Sequence, residues 1–409
     1  MQNDTYEYAL GITSQFFFCS LPLRLDSYSR CQFRCTYCFA NARGGAHRNN
    51  RIQSLDVPAL NRRLCRVQEG KIQSAVDEFL DRRQPLHLGG MSDPFMPLEN
   101  RKEVSLRLLE TLARHSYPTV ISTKSVDVAL PQYLELLSAG NFVVQFSISS
   151  LDDNLISKVD FGAPVPSKRL AAMRALSSAG IPVACRMQPV LPTRENDYRD
   201  LAQACSDAGA FHFAIEHLKL SVENWIGNSR LGRLLGLDLK QYFMSRGSTR
   251  VGREWILPLN QRLPTILAAR SVIRSLGMSF GAADNDLLLL SDSDACCAGV
   301  SGLPGFKNVF RANYLSAARA GLAENRIGIK TLSKEWMPER SVRMYINSHS
   351  RGDTTTTVAD YIKRGWNGAP NGHSPVSLFG VFDTGRTDSG GLSIYAFSNA
   401  ARRMYLDAG

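Results

Sequence analysis

Three cysteines fall within one short stretch, Cys31-Gln32-Phe33-Arg34-Cys35-Thr36-Tyr37-Cys38. Disulfide geometry cannot use all three at once, and a tetrahedral zinc site asks for a fourth ligand nearby. A cubane [4Fe–4S] cluster can instead be held by three thiolates, which leaves one iron open. The spacing C-x3-C-x2-C thus admits an iron–sulfur centre, a zinc knuckle or a chance grouping of thiols.

Further polar groups recur at the ends of short apolar runs. Gly89-Gly90-Met91-Ser92-Asp93-Pro94 lets a backbone approach a ligand closely, and its carbonyls can accept from an ammonium group; read by itself it is also a good turn. Ser122-Thr123-Lys124-Ser125 offers a cation to a carboxylate, although a lone lysine in such a place is usually only solvated. Ser147-Ile148-Ser149-Ser150 alternates hydroxyls onto one face, where they could meet ribose or carboxylate. Arg186 shares a strand face with Ala184 and points either into the mouth of a barrel or out to a helix.

The elements that must carry these groups alternate between strand and helix patterns from the cysteines to about residue 220. Strands are expected over 21–28, 85–89, 119–122, 142–148, 181–187 and 211–215. Helices are expected over 72–83, 100–115, 130–139, 167–179 and 196–208, with Gly140, Gly180 and Gly209 as stops. In the second helix Val104, Leu108 and Leu112 recur every four residues, one apolar face. This pattern is α/β and fits a partial (β/α)6 TIM-like barrel with its chemistry at the C-terminal strand ends. A run of helices follows to Leu276, then a loop-rich region over 279–305, then a mixed segment with strand-like 376–382 and 392–397. The expected organisation is a core barrel over 1–220, a helical region with a second cysteine pair over 221–305, and a small basic α+β extension over 306–409.

The chain has 409 residues and ordinary apolar and charged fractions, enough for one large domain or a core with an appendage. No stretch approaches the roughly 18 apolar residues of a membrane span, so no membrane partner is expected. The acidic and polar start does not read as a secretory signal. Nine cysteines that include such a cluster suit a reducing compartment and point to the cytoplasm. The net charge of +11 draws on Arg43, Arg48, Arg51, Arg62, Arg63 and Arg66 and on the last hundred residues. It is compatible with a polyanionic partner and equally with a solvated basic face.

Taken in order, Cys31, Cys35, Tyr37 and Cys38-Phe39-Ala40, then Ser92-Asp93-Pro94 with Glu99, then Thr123-Lys124-Ser125, Phe146-Ser147-Ile148 and Pro189-Val190-Leu191-Pro192 resemble the radical S-adenosylmethionine (radical SAM) superfamily, in particular its spore photoproduct lyase-like branch. The resemblance covers about the first half of the chain. It implies that Cys31, Cys35 and Cys38 hold a [4Fe–4S] cluster whose open iron chelates S-adenosylmethionine, and that Tyr37 lies beside the adenine. It implies roles for Gly89 and Gly90 at the amino group, for Ser92 and Asp93 near the amino group and ribose, and for Lys124 and Ser147 at the methionyl carboxylate. Ser149 and Arg186 join them as cofactor-binding candidates. The implied activity is reductive cleavage of S-adenosylmethionine to a 5′-deoxyadenosyl radical that abstracts hydrogen from a substrate, nucleic acid among the candidates. A flavodoxin- or ferredoxin-type electron donor follows from the same resemblance. There is one departure: lyases of that branch carry a hydrogen-donating cysteine in the second-strand loop, and Met91 stands there, which weakens thymine-dimer reversal by that route.

The pair Cys296-Cys297 is the other feature to weigh. Adjacent cysteines rarely close a strain-free disulfide, so they are candidates to donate hydrogen to a product radical, to ligate a metal, or simply to be buried. Neighbouring Asp292 and Asp294 raise thiol pKa values and oppose a strongly activated thiolate. Two competing readings stand beside the leading one. The first is peptide or small-metabolite modification on the same core, and the second a non-enzymatic metal-binding nucleic-acid module lacking the strand-end series.

Overall fold

The computed structural model describes residues 5–42, 51–293, 297–342, 355–368 and 373–407. In chain order the strands are β1 (Leu10–Ile12), β2 (Leu23–Leu25), β3 (Arg34–Cys35), β4 (Leu86–Leu88), β5 (Thr119–Thr123), β6 (Phe142–Ser147), β7 (Asp160–Phe161), β8 (Val183–Val190), β9 (Ala210–His217), β10 (Leu220–Ser221), β11 (Thr249–Val251), β12 (Glu254–Ile256), β13 (Ser279–Ala282), β14 (Val381–Thr387) and β15 (Ser393–Phe397). One sheet of eight strands runs β1-β2-β4-β5-β6-β8-β9-β13, and β5, β6, β8 and β9 pair parallel. Helices alternate with these strands, so the class is α/β and the core is the partial barrel of βα units that the sequence predicts.

Two compact units make up the chain. The first comprises residues 1–10, 24–61 and 87–280, and the second comprises 11–23, 62–86 and 281–409. In the second unit the helix Val358–Trp366 opens with a capping box between Thr357 and Asp360. There too β14 and β15 form an antiparallel hairpin, with Trp366 stacked edge-on against Tyr395.

The first unit carries every strand end discussed above. Its helices are set by the expected stripes: Val104, Leu108 and Leu112 are all buried. The expected helix over 100–115 is nevertheless two helices, Glu99–Lys102 and Val104–Arg114, with Glu103 between them at φ 49°. The break has a physical cause. Glu99 turns inward and its carboxylate accepts the otherwise unpaired N–H groups of Ser105 and Leu106, each at 2.9 Å, at the start of the second helix. Tyr28 and Tyr133 donate their phenols to the same carboxylate.

Three other expectations change. Gly140 ends its helix at φ −109° rather than in the left-handed region. It is glycine for space, since a Cβ there would meet the Phe142 ring at 2.1 Å. The run of helices after residue 220 is interrupted by the small antiparallel sheet β10-β12-β11. The region after 279 begins with β13, whose four residues are too few to show a period, and this strand is hydrogen-bonded beside β9.

Candidate active site

The cysteine loop is pinned at several points. Cys35 lies on β3, which pairs antiparallel with β7 so that Cys35 faces Asp160 and Arg34 faces Phe161. The N–H of Thr36 donates to the Val159 carbonyl at 2.9 Å, and the Asn224 amide donates to the Thr36 carbonyl at 2.9 Å. Gln32 accepts from the N–H of Leu98 at 2.6 Å. Cys31, Cys35 and Cys38 are each half-buried.

Asp160 is the hub of the loop's surroundings. Its carboxylate is fully buried and accepts from Lys124 Nζ at 3.1 Å, from Arg169 Nη1 at 2.8 Å and from the Tyr37 phenol. Lys124 Nζ also donates to Tyr37 Oη at 2.8 Å and stands 5.4 Å from the centre of its ring. Arg169, itself fully buried, donates further to the Ser147 carbonyl at 2.7 Å and the Pro164 carbonyl at 2.7 Å. Burial alone would push the Asp160 carboxyl up, but the Lys124 and Arg169 charges and the Tyr37 and Arg169 hydrogen bonds outweigh it. The carboxyl is held well below the usual range. Burial, and then the Asp160 charge, push the Tyr37 phenol well above its ordinary value.

The loop after β4 supplies a second buried carboxylate. Asp93 accepts from the N–H of Phe95 at 3.0 Å, from the Thr123 hydroxyl at 2.9 Å and from the N–H of Lys124 at 2.7 Å. Its own N–H donates to Cys31 Sγ at 3.5 Å. Burial outweighs these donors and raises the Asp93 carboxyl. The Ser92 hydroxyl donates to the Tyr28 carbonyl at 2.7 Å, and Asp26 accepts from the N–H of Met91 at 2.8 Å and of Ser92 at 3.3 Å. Gly89 sits at φ 90°, and a Cβ there would meet the Ser122 carbonyl at 2.4 Å. The glycine therefore lets β4 run out close against β5.

The predicted residues thus divide. Cys31, Asp93, Cys35, Tyr37 and Lys124 form one connected neighbourhood. Ser147 joins it through its carbonyl, whereas the Ser149 hydroxyl is buried with no hydrogen-bond partner among the described residues. Arg186 belongs to a different group and donates to the Ser122 hydroxyl at 3.2 Å. Cys297 is half-buried in the second unit; Cys296, Arg43 and Arg48 lie outside the described residues.

Sequence reasoning missed Asp160 and Arg169. A signal was there. Asp160 continues the i, i+3, i+4 stripe of Ile156 and Val159, and Arg169 opens the buried stripe of Ala172, Met173 and Leu176. Opposite charges at core positions, one just past the end of a helix and one within the next helix, announce a pair.

Among the described residues no group of three or more His, Cys, Asp or Glu side chains is arranged to hold one metal ion. A cubane takes each thiolate on a different iron and does not ask for that convergence. The thiols are still near enough to sense each other. Burial, and then the Asp93 charge, push Cys31 up to about 12, and Cys38 adds to the rise. Burial and the Asp160 charge raise Cys35, and a charge on Cys38 or Cys31 raises it further.

Residues 26–205 match the family model of the Radical SAM superfamily. Uncharacterized proteins of Mycobacterium bovis and Mycobacterium tuberculosis are 26% identical over 220 residues, a match that covers 50% of this chain and 62% of theirs. The chain therefore spans less than two thirds of the length of these relatives. Among solved structures, spore photoproduct lyase complexed with dinucleoside spore photoproduct aligns with a TM-score of 0.49 at 15% identity, covering 66% of this chain and 77% of that one. Streptococcus suis SuiB bound to precursor peptide SuiA aligns with a TM-score of 0.36 at 15% identity, covering 59% and 49%.

Proposed function

Residues 26–205 being a domain of the radical SAM superfamily, we propose that the protein is a radical SAM enzyme acting by hydrogen abstraction. Cys31, Cys35 and Cys38 would hold a [4Fe–4S] cluster, and S-adenosylmethionine would lie against Tyr37, Asp93 and Lys124. When bound, these groups supply reductive cleavage of the sulfonium to methionine and a 5′-deoxyadenosyl radical. The observation that carries the reading is the hydrogen-bonded set Tyr37–Lys124–Asp160–Arg169 built onto the cysteine loop.

The chain's own residues bind and orient. Lys124 offers an ammonium already placed by Asp160 and Tyr37, so little side-chain entropy remains to be lost when a carboxylate arrives. Gly89 and Gly90 bring backbone carbonyls toward the amino group, and Ser92 and Asp93 fix that loop. Ser147 and Ser149 add hydroxyls at the end of β6. Asp160 is fully buried, which strengthens its charge interactions with Lys124 and Arg169.

The substrate in this reading is anionic, with nucleic acid the leading candidate, and the electron comes from a flavodoxin- or ferredoxin-type donor in a reducing, cytoplasmic setting. Among the described residues no helix is long and apolar enough to cross a membrane. Cys296 and Cys297 keep their proposed part as hydrogen donors, and normal turnover in both Ala variants would remove them from it.

Anaerobic reconstitution followed by electron paramagnetic resonance tests the core of the reading. The reduced protein should show a cluster signal that changes on adding S-adenosylmethionine, and Ala at any of Cys31, Cys35 or Cys38 should abolish it. Stoichiometric zinc without iron in anaerobically purified protein would sink the reading. A charge-assisted pair at Lys124 is worth on the order of 1–3 kcal/mol, so Lys124→Ala should weaken S-adenosylmethionine binding by roughly one to two decades. Unchanged binding by calorimetry would show the role to be misplaced.

A further inference from the structure

Parallel barrels ordinarily fill their inner face with branched apolar side chains. One face of this sheet does otherwise. Ser122 stands opposite Gln145 in register, and Ser147 stands opposite Arg186. The Ser122 hydroxyl lies 2.8 Å from His87 Nε2 on β4, accepts from Arg186 Nη1 at 3.2 Å, and lies 3.5 Å from Gln145 Oε1. A polar row therefore crosses four adjacent strands. The residues between, Val144, Phe146, Cys185 and Met187, belong to the other face and are buried. There Cys185 hydrogen-bonds Cys205 of the helix Tyr198–Asp207, which identifies that side as the helix-covered one.

The polar row is incompletely satisfied. Arg24 has Asp26 at 3.3 Å, whereas Arg186 has no carboxylate partner among the described residues. Gln188 Nε2, two residues along β8, is buried with no hydrogen-bond partner among the described residues. Polar atoms in that state are costly unless something completes them. His87 does not add charge: burial, then Arg186 and Arg24, hold it neutral, with its pKa lowered to about 3. Nor is this the charge neighbourhood of the cysteines. Lys124 and Arg169 are the cations that act on Asp160, while Arg186 and Arg24 act on His87.

We propose that this face is an oxyanion subsite in which Arg186 receives a phosphate or carboxylate group of the substrate, with Ser122 and Gln188 as its hydrogen-bonding neighbours. A guanidinium presents five donors in a planar fork matched to such groups, and among the described residues only one bond is taken. The subsite deepens the reading above and rests on it for one assignment, that the carboxylate of S-adenosylmethionine goes to Lys124 and leaves Arg186 to the substrate.

Inorganic phosphate is the probe, titrated by calorimetry and thermal unfolding into the full chain and its Arg186→Gln, Arg186→Lys and Lys124→Ala variants. The wild type should bind phosphate and gain stability from it. Arg186→Gln should lose about tenfold or more in phosphate affinity, Arg186→Lys should keep part, and Lys124→Ala should keep it all. S-adenosylmethionine affinity should be unchanged in Arg186→Gln. No response in the wild type, or an equal response in wild type and Arg186→Gln, overturns the subsite. So does loss of S-adenosylmethionine binding in Arg186→Gln, which would make the arginine a cofactor residue. If Arg186→Gln fails to fold, equal phosphate binding by Arg186→Lys and wild type, with the loss falling in Lys124→Ala, overturns it too. Absence of S-adenosylmethionine binding in every protein would instead count against the enzyme reading and leave the phosphate comparison readable.

Discussion

Lys124 and Arg186 are both cations delivered by parallel strands, and the structure treats them oppositely. Lys124 is met by a buried carboxylate, that carboxylate is anchored by a second cation, and a phenol closes the set. Arg186 is met by a serine hydroxyl and lies near a neutral histidine. The first arrangement balances its buried charges and fixes geometry, although Arg169 Nη2 has no hydrogen-bond partner among the described residues. The second is short of a negative charge and awaits one. Preorganisation and reception are different tasks, and the balance of buried charge tells them apart.

The widest separation of the two should come from stability. Asp160→Ala strands two cations, one of them fully buried, and breaking a buried pair in this way costs about 3–5 kcal/mol. Arg186→Gln removes one neutral acceptor's bond and an unpaired charge, for roughly 1 kcal/mol or less. Urea unfolding of the full chain measures both, and equal costs would erase the distinction. The Asp160 contribution should also fade in acid. Its folded pKa lies below the unfolded value near 3.9, so the unfolded chain takes up the proton first as pH falls. The advantage of wild type over Asp160→Asn should be full above about pH 5 and shrink below about pH 4. A gap that widens in acid would mean that Asp160 is not the ionised partner of these cations.

Why one of these arrangements was legible in the chain and the other was not follows from where each signal is written. The cysteine loop, the Gly89–Pro94 turn and Lys124 announce themselves by local spacing and by their place after a strand. The six expected strands of the βα pattern, from β2 to β9, are present for the same reason. Asp160 and Arg169 interrupt apolar stripes, and a charge in a stripe reads as a boundary until its partner is known. Arg186 was legible as a residue but its direction was open. Only the register of β6 against β8, with Ser147 opposite Arg186, puts it on one face with Ser122. Elements as short as β3, β7 and β13 carry no period of their own, and tertiary pairing alone creates them.

A smaller effect tests whether the polar face is as dry and cationic as its contacts imply. His87 is neutral in the fold because burial, then two arginines, disfavour its charged form. In the unfolded chain it protonates near pH 6.5, so acidification favours unfolding there and the His87 contribution is lost below that pH. Relative to His87→Gln, the wild type should lose about 1.4 kcal/mol of stability between pH 8 and pH 5.5. Parallel stability profiles would show that His87 titrates freely in the folded protein, and the polar face would then be open to water.

The finest test joins the two residues. If Arg186 lacks a counter-ion, its charge is felt undiminished by its neighbours, and His87 shares the Ser122 hydroxyl with it. Arg186→Gln should then raise the His87 pKa by up to about one unit, a shift worth roughly 1.4 kcal/mol at most, because burial and Arg24 would still hold it down. Lys124→Ala should leave it unmoved, since the cations that hold His87 down are Arg186 and Arg24. A histidine-resolved NMR titration reads both variants side by side. The opposite pattern, with His87 following Lys124 and ignoring Arg186, would merge the two neighbourhoods into one electrostatic site and leave the oxyanion subsite without a charge of its own.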